Sequence, residues 1–588
     1  MKSQVVSADS LISIDIGTIS TRAFLFDSVN DQYRFIAAGH ARTTDGPPYN
    51  DVQEGVTVAL RQLEEITGRS LMGSNGYLVT PTQADGSGVD AVVATLSAGS
   101  ELRVVAVGLL ESVSLESAQN LAKTTYAKVV ETISLNDRRK PDTRIDAILR
   151  ARPDLVIIAG GINGGASQSV QTLLDVIGVS SYLRQKPQRP AVLFAGNNAI
   201  KEDVEEMLAH IVDLHIAPNV RPTVQSEQLI PAQTVLANIF QRVRSEQIFG
   251  LAEIAQQTTG RILPTATGLG RVIDFLGRVY DPNKGVLGLD VGASATTVAA
   301  ANQGKLALQV FPQFGLGENL GNIFKYISLE QIATWLQVDL PAEAIRDYIY
   351  TKATYPASLP ATEQELLIEQ AITRQLIRLA VSQTTKSLPF PAKRAAPSLL
   401  PWLEPIIVSG SVLTKAPTPG QSLLVLLDGL QPTGITTIVL DQNNLVGPLG
   451  AAAEINPLLT VQVLESNAFL NLATVIAPVG KTRKGTPILR VHITYRDGEE
   501  MTYNVKYGTI EVIPLAMGES AQLHLQPLHR FDVGMGGPGR SGRVQVTGGI
   551  LGIVVDGRGR PIDLINQPDR RRETLKRWRW ALKGNKGG

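Results

Sequence analysis

Asp15, Gly17, Thr18, Ser20 and Thr21 crowd one short stretch of the segment LISIDIGTISTRAFLFD, residues 11–27. A carboxylate in such a turn can hold the hydrated Mg²⁺ that accompanies a phosphate chain. Backbone N–H groups and hydroxyls there can face an anion, and a glycine lets the backbone come close to it. A second copy stands at residues 285–301, GVLGLDVGASATTVAAA, with Asp290, Gly292, Ser294, Thr296 and Thr297. Asp15 and Asp290 are the candidate ligands for Mg²⁺ and for an attacking water, should a phosphoanhydride be hydrolysed. Thr18, Thr296 and Thr297 are candidate phosphate ligands. Gly17, Gly292, Ser20 and Thr21 complete the two turns. The plainer alternative is a pair of β-hairpins whose aspartates cap their turns as Asx motifs.

Each copy reads as strand, turn, strand: an apolar run ends in Asp-x-Gly, a hydroxyl-bearing turn follows, and a second apolar run begins. Two such hairpins in one chain indicate a duplicated fold with a nucleotide between two lobes. Further along, Gly410 in IIVSGSV and Gly450 in LDQNNLVGPLGAAAEIN are placed to let adenine lie along the backbone; strand-end turns are the alternative.

The intervening sequence supplies the scaffold. Asp51 and Glu54 resemble a capping box, followed by Val52, Val56, Leu60 and Leu63 at helical spacing and then Gly68. Residues 76–108 read as short strands with turns, and 115–133 as a helix. LVIIAGG, AVLFAGN and LHIAP alternate with amphipathic stretches, including a face of Val204, Met207, Leu208 and Ile211, which predicts a parallel sheet. Gly160, Gly161, Gly164 and Gly165 follow its first strand but lack the GxGxxG spacing of a dinucleotide site. Residues 327–386 read as helical. Beyond residue 457 alternating strands take over around an Asp497-Gly498 hairpin turn. This divides the chain into a first lobe with an α/β insertion (1–284), a second lobe (285–457) and a β-rich C-terminal domain with a basic tail (458–588).

The net charge of +1 predicts no global attraction to nucleic acid or membrane, although residues 567–588 carry eight Lys/Arg against two Asp/Glu. In DRRRETLKRWRWALK, Leu575, Trp578 and Leu582 share one helical side. This reads as a helix packed through its Trp side with a solvated basic face, or as a contact for an acidic protein. The absence of cysteine excludes disulfides and thiolate chemistry. No apolar run approaches the ~18 residues of a membrane span, and the polar first ten residues make cytoplasm the default location. His40, His210, His215, His492, His524 and His529 are scattered and suggest no metal beyond Mg²⁺.

The paired Asp-x-Gly turns resemble the two phosphate loops of the actin-like ATPase superfamily. More closely, PDLVIIAGGINGG, VLFAGNNAIKEDVEEML, HIAPNVRP and GRILPTATGLGRVIDFL running into LDVGASATT resemble the glutamate mutase accessory family called MutL or GlmL, as does ATLSAGSELRVVAVGL at residues 94–109. The resemblance covers residues 10–457. It implies an α/β, duplicated, two-lobed actin-like fold of the ribonuclease H type, followed here by the β-rich domain. It also implies ATP with Mg²⁺, and a chaperone-like accessory protein serving an adenosylcobalamin-dependent mutase. Three departures accompany it. Ala293 and Ser294 stand where the family has its second glycine, lengthening that loop by one residue. Val298 replaces an aspartate, and residues 408–411, Val-Ser-Gly-Ser, replace a GTGG-like adenosine loop. These predict slow hydrolysis at most. A weakly hydrolysing or inert actin-like scaffold remains one alternative reading, and a small-molecule kinase another.

Overall fold

The computed structural model describes residues 8–165 and 167–583. Contacts group them into two compact units: one runs to Gly268 and includes Gly447–Thr460, and the other holds Leu269–Val446 and the chain from Val461 onward.

In the first unit, β1 (Ser10–Ile16) and β2 (Ser20–Val29) form the expected hairpin, and β3 (Gln32–Arg42) extends it. Helix α1 (Val52–Thr67) begins at Asp51, whose side chain accepts from the Gln53 N–H, and stops at the left-handed Gly68. The cap is therefore Asp51 itself, without reciprocal capping by Glu54. Val52, Val56, Leu60 and Leu63 are its buried stripe, as their spacing requires. β4 (Ala91–Leu96) then pairs parallel to β1.

An inserted layer follows, with β5 (Leu102–Gly108), α2 (Glu116–Ala122), β6 (Ala127–Ser134), α3 (Pro141–Ala151), β7 (Leu155–Ala159), α4 (Ser167–Tyr182), β8 (Ala191–Phe194), α5 (Lys201–Leu208), β9 (Asp213–Ile216) and α6 (Ile230–Gln247). Its sheet has the order β6-β5-β7-β8-β9 and is wholly parallel. It encloses its own core, in which Val107, Ile158, Leu173, Ile177, Phe194 and Val204 are buried. The helix expected over 115–133 is corrected: α2 stops at Ala122, and the β-branched residues Val129, Val130, Thr132 and Ile133 make up half of β6. After α7 (Leu251–Gln257), β10 (Ile262–Pro264) returns beside β4, completing the first sheet as β3-β2-β1-β4-β10. α8 (Thr265–Val279) leads into the second unit.

There the pattern repeats. β11 (Gly285–Val291), β12 (Thr296–Asn302) and β13 (Lys305–Phe311) are antiparallel neighbours. The helical stretch contains α9 (Leu329–Ala333), α10 (Ala342–Thr354) and α11 (Glu363–Lys386). β14 (Leu403–Ser409), α12 (Ser411–Thr414), α13 (Pro419–Leu430) and β15 (Gly434–Leu440) follow, the two strands pairing parallel on from β11. The order β13-β12-β11-β14-β15 matches the first sheet strand for strand, with the same sense at every pairing. This is the duplicated actin-like arrangement.

After α14 (Val446–Ala452) and α15 (Pro457–Leu464), β16 (Leu470–Ala477) adds to β15. The expected β-rich region follows as β17 (Pro487–Thr494), β18 (Glu500–Lys506), β19 (Ile510–Ile513), β20 (Ser520–Pro527), β21 (Gly542–Thr547) and β22 (Ile553–Asp556), then α16 (Pro568–Ala581). Four of these strands make a separate antiparallel sheet, β18-β17-β20-β21. β22 and β19, however, continue the second sheet beyond β16. The region is thus a sheet of its own joined to an extension of its neighbour.

Candidate functional site

β1 delivers Asp15 to its carboxyl end, next to Arg22 on β2 and Thr95 on β4. Paired residues on adjacent strands share a face, so the three form a row. Asp15 is 5% exposed. Its Oδ1 accepts from Thr95 Oγ1 at 2.7 Å and from Thr265 Oγ1 at 3.1 Å, while Oδ2 lies 3.4 Å from Arg22 Nη1. The hydroxyls fix the carboxylate without neutralising it.

The second unit repeats the row as Thr297, Asp290 and Ser409, on β12, β11 and β14. Ser409 Oγ donates to Asp290 Oδ1 at 2.7 Å. The turns match as well. The Gly17 N–H donates to the Ser20 carbonyl at 3.0 Å, and the Gly292 N–H to the Ala295 carbonyl at 2.9 Å. The last strand pairs before each turn are Ile16 with Thr21 and Val291 with Thr296, so the two loops have the same length within this chain.

The other candidates separate. Thr18 donates to the Ser97 carbonyl at 3.3 Å. Thr21 and Thr296 hold equivalent positions, and both are fully buried. Thr21 bonds Thr43 Oγ1 at 2.9 Å, and Thr296 donates to the Phe314 carbonyl at 2.7 Å. Their hydroxyls are spent inside the fold; Thr297 is also buried, at 2% exposure, but lies on the other face of β12 beside Asp290. Gly410 caps β14 with φ of 107°, and a methyl there would lie 2.3 Å from the Val291 carbonyl oxygen. Only glycine permits that approach to the second hairpin. Its N–H donates to Asn444 Oδ1 at 3.0 Å. Gly450 serves helix packing instead: a methyl would lie 2.0 Å from the Gly268 carbonyl oxygen.

The second turn is braced from outside, and one expectation about it changes. Leu316 and Gly317 donate their N–H groups to the carbonyls of Gly292 and Ala293 at 3.0 and 2.9 Å, bracing the turn. Val298 is fully buried among Leu287, Leu289 and Val291, one residue out of step with Thr297 and so on the opposite face from Asp290. A carboxylate at 298 would point into the core.

Thr95, Thr265, Arg22 and Ser409 escaped the sequence reading as site residues. The available signal was a hydroxyl closing an apolar strand, as in VVATL, ILPT and IIVS. The glycine turn after β7 is closed on itself: Asn197 bonds Gly164 and Gly165, and Asn219 bonds Gly161.

Among the described residues, no group of three or more His, Asp or Glu gathers to hold a metal. One oriented carboxylate per turn suits Mg²⁺, which keeps waters and takes its remaining ligands from phosphates. Asp15 in the first turn, and Asp290 in the second, is the residue that would hold it there. No helix among the described residues is long and apolar enough to cross a membrane.

Comparison with known proteins bears on this geometry. Protein MutL of Clostridium tetanomorphum is 21% identical over 353 residues, covering 56% of this chain and 74% of that protein. Among solved structures, the ethanolamine utilization protein EutJ from Carboxydothermus hydrogenoformans is 9% identical, with a TM-score of 0.26 over 76% of this chain and 91% of its own. Glycerol dehydratase reactivase is 10% identical, with a TM-score of 0.27 over 72% and 95%. Diol dehydratase-reactivating factor in nucleotide-free form is 10% identical, with a TM-score of 0.27 over 78% and 99%. The fold rests on the strand orders above rather than on scores of this size. The model of the MutL protein family matches residues 11–468, both hairpins included, and the chain belongs to that family.

Proposed function

We propose that this chain binds Mg·ATP through its two Asp-x-Gly turns and acts as an accessory protein that reactivates an adenosylcobalamin-dependent mutase. The observation that carries the nucleotide reading is the repeated hydroxyl–aspartate pair, Thr95 with Asp15 and Ser409 with Asp290, each at a strand end beside a glycine turn. Asp15 and Asp290 orient the metal, and Thr18, Ser20 and Thr297 stand at the two turns to meet phosphate oxygens. Mg²⁺, when bound, supplies neutralisation of phosphate charge. Gly410 holds the end of β14 close against the second turn, where the nucleoside would follow the phosphates. The accessory role is supported by family membership.

The test has two parts. Mg·ATP is titrated calorimetrically into wild type and into Asp15→Ala/Asp290→Ala; affinity should fall at least tenfold in the double variant. Equal affinities, or no binding to wild type, reject the nucleotide site. A cobalamin mutase inactivated by turnover should then recover only with both this chain and ATP. Product analysis distinguishes the remaining readings. ADP and phosphate without recovery indicate a weakly hydrolysing scaffold, and a phosphorylated metabolite a kinase.

A further inference from the structure

The inserted sheet carries a second concavity, at the opposite end of its strands from the glycine turn. The segments entering β7, β8 and β9, with the end of α6, enclose a cavity of about 610 Å³. Small-molecule sites span roughly 300–1,000 Å³. Arg152, Arg184, Lys186, Arg189 and Arg242 line it, against the carboxylates of Asp154, Asp213 and Glu246.

Two of those carboxylates already have partners. Asp213 pairs with Arg242 and with His215, each at 2.9 Å. Asp154 accepts from the Arg103 N–H at 2.7 Å and from Gln247 Nε2 at 3.0 Å. Glu246 is exposed. Among the described residues, Arg152, Arg184, Lys186 and Arg189 have no carboxylate at ion-pair distance. Arg189 donates to the Ile211 and Arg184 carbonyls at 2.9 and 3.2 Å, and Arg184 to the Pro153 carbonyl at 3.2 Å.

Cations gather at helix carboxyl termini to meet free carbonyls, and that accounts for Arg189. It does not account for Arg152 and Lys186, which make no side-chain bond among the described residues. Nor does it explain why Arg184 sits near Arg152: burial first, and the Arg152 charge second, hold the Arg184 guanidinium below its ordinary pKa, and the Asp154 charge offsets this only in part. Neighbouring guanidiniums repel one another, and a further anion between them reverses the sign of that interaction. Guanidinium groups meet phosphate oxygens in bidentate pairs, and a lysine adds a mobile point charge.

We propose that this cavity is a binding site for a small polyphosphate anion, held by Arg152, Arg184 and Lys186. A concave site built from four chain segments suits a small molecule better than an extended acidic segment. The proposal is independent of the nucleotide site at the two turns.

The experiment uses inorganic pyrophosphate as probe, titrated calorimetrically into the full-length chain at fixed moderate salt. The expected result is saturable binding that persists in Asp15→Asn/Asp290→Asn and weakens at least tenfold in Arg152→Gln/Arg184→Gln. Lys186→Glu, a reversal at an exposed position that folding tolerates, should weaken it by a similar factor with an unchanged melting temperature. Absence of saturable binding to wild type overturns the proposal. So does a loss confined to the aspartate variant, which would put the anion at the turns. Full affinity in both the arginine and lysine variants also overturns it, leaving the cations as caps for helix carbonyls.

Discussion

Arg22 and Thr297 hold equivalent places in the two rows: the first aspartate has a cation beside it and the second a hydroxyl. The hydroxyl donors are common to both rows, so orientation of the carboxylates depends on Thr95 and Ser409. Thr95→Val removes a bond to a charged acceptor, worth about 1.5–3 kcal/mol. ATP affinity measured by calorimetry should fall about tenfold or more, and Thr95→Ser should retain it. Position 298 gives the opposite kind of prediction. Restoring an aspartate there would place an unpaired charge in the core beside Leu289, at a cost of about 3–5 kcal/mol. Val298→Asp should lower the urea midpoint sharply and leave any ATP hydrolysis no faster; a faster, stable variant would show that residue 298 reaches the nucleotide.

Among the elements, α16 shows how a basic tail is used. Leu575, Trp578 and Leu582 are buried, and Trp578 Nε1 donates to the Gly508 carbonyl at 2.9 Å. The Arg558 guanidinium lies 4.7 Å from the Trp578 ring. Arg572 and Arg579 pair with Asp339 and Glu363, each at 2.8 Å. The helix therefore docks on its own unit, with its Trp side inward as the spacing suggested. Trp578→Ala should cost about 3–5 kcal/mol in chemical denaturation. Trp580→Ala, at a position 68% exposed, should change stability by less than about 0.5 kcal/mol. Equal effects would mean that the helix is not held as described. Because β22 and β19 pair onward from β16, a chain cut after residue 480 loses those partners and leaves the β16 edge open. Such a fragment should aggregate in size-exclusion chromatography, as unpaired edges do.

At the scale of the whole molecule, a buried ion network ties together distant parts of the second unit. Arg374 on α11 meets Asp428 on α13 at 2.7 Å, and Arg558 reaches both Asp428 and Asp556. Arg560 closes on Asp556 at 2.7 Å. Burial alone would raise the Asp556 pKa, but the Arg558 and Arg560 charges outweigh it and hold the carboxyl well below the usual range. A depressed pKa in the fold contributes stability above the unfolded value of about 3.9, and that stability is lost as pH falls toward the folded value. Asp556→Asn, which takes the carboxylate from buried Arg560 and leaves Arg558 only Asp428, should cost about 3–5 kcal/mol at pH 7. The gap between wild-type and variant urea midpoints should narrow below pH 4. A gap constant down to pH 3 would mean that the fold does not hold the Asp556 pKa below its ordinary value.

The sequence by itself determined the two hairpins, the parallel insertion, the late hairpin-rich region and the family, because each is written in local period and turn chemistry. Asp15 and Asp290 were legible for the same reason: Asp-x-Gly at a strand end is a local pattern that occurs twice. Tertiary structure decided what local pattern cannot encode. Thr21 and Thr296 look like ligand residues in the sequence, yet the alternation of the strand turns them inward. Thr95 and Ser409 were hidden because they reach their aspartates from strands about 80 and 120 residues away, a distance only sheet pairing closes. In the sequence Gly450 reads either as a nucleoside neighbour or as a turn; the fold sets it against Gly268 at a helix crossing. The charge of the C-terminal tail was visible in the sequence; its partners, Asp339 and Glu363, were fixed only when burial of Trp578 set the helix against its own unit.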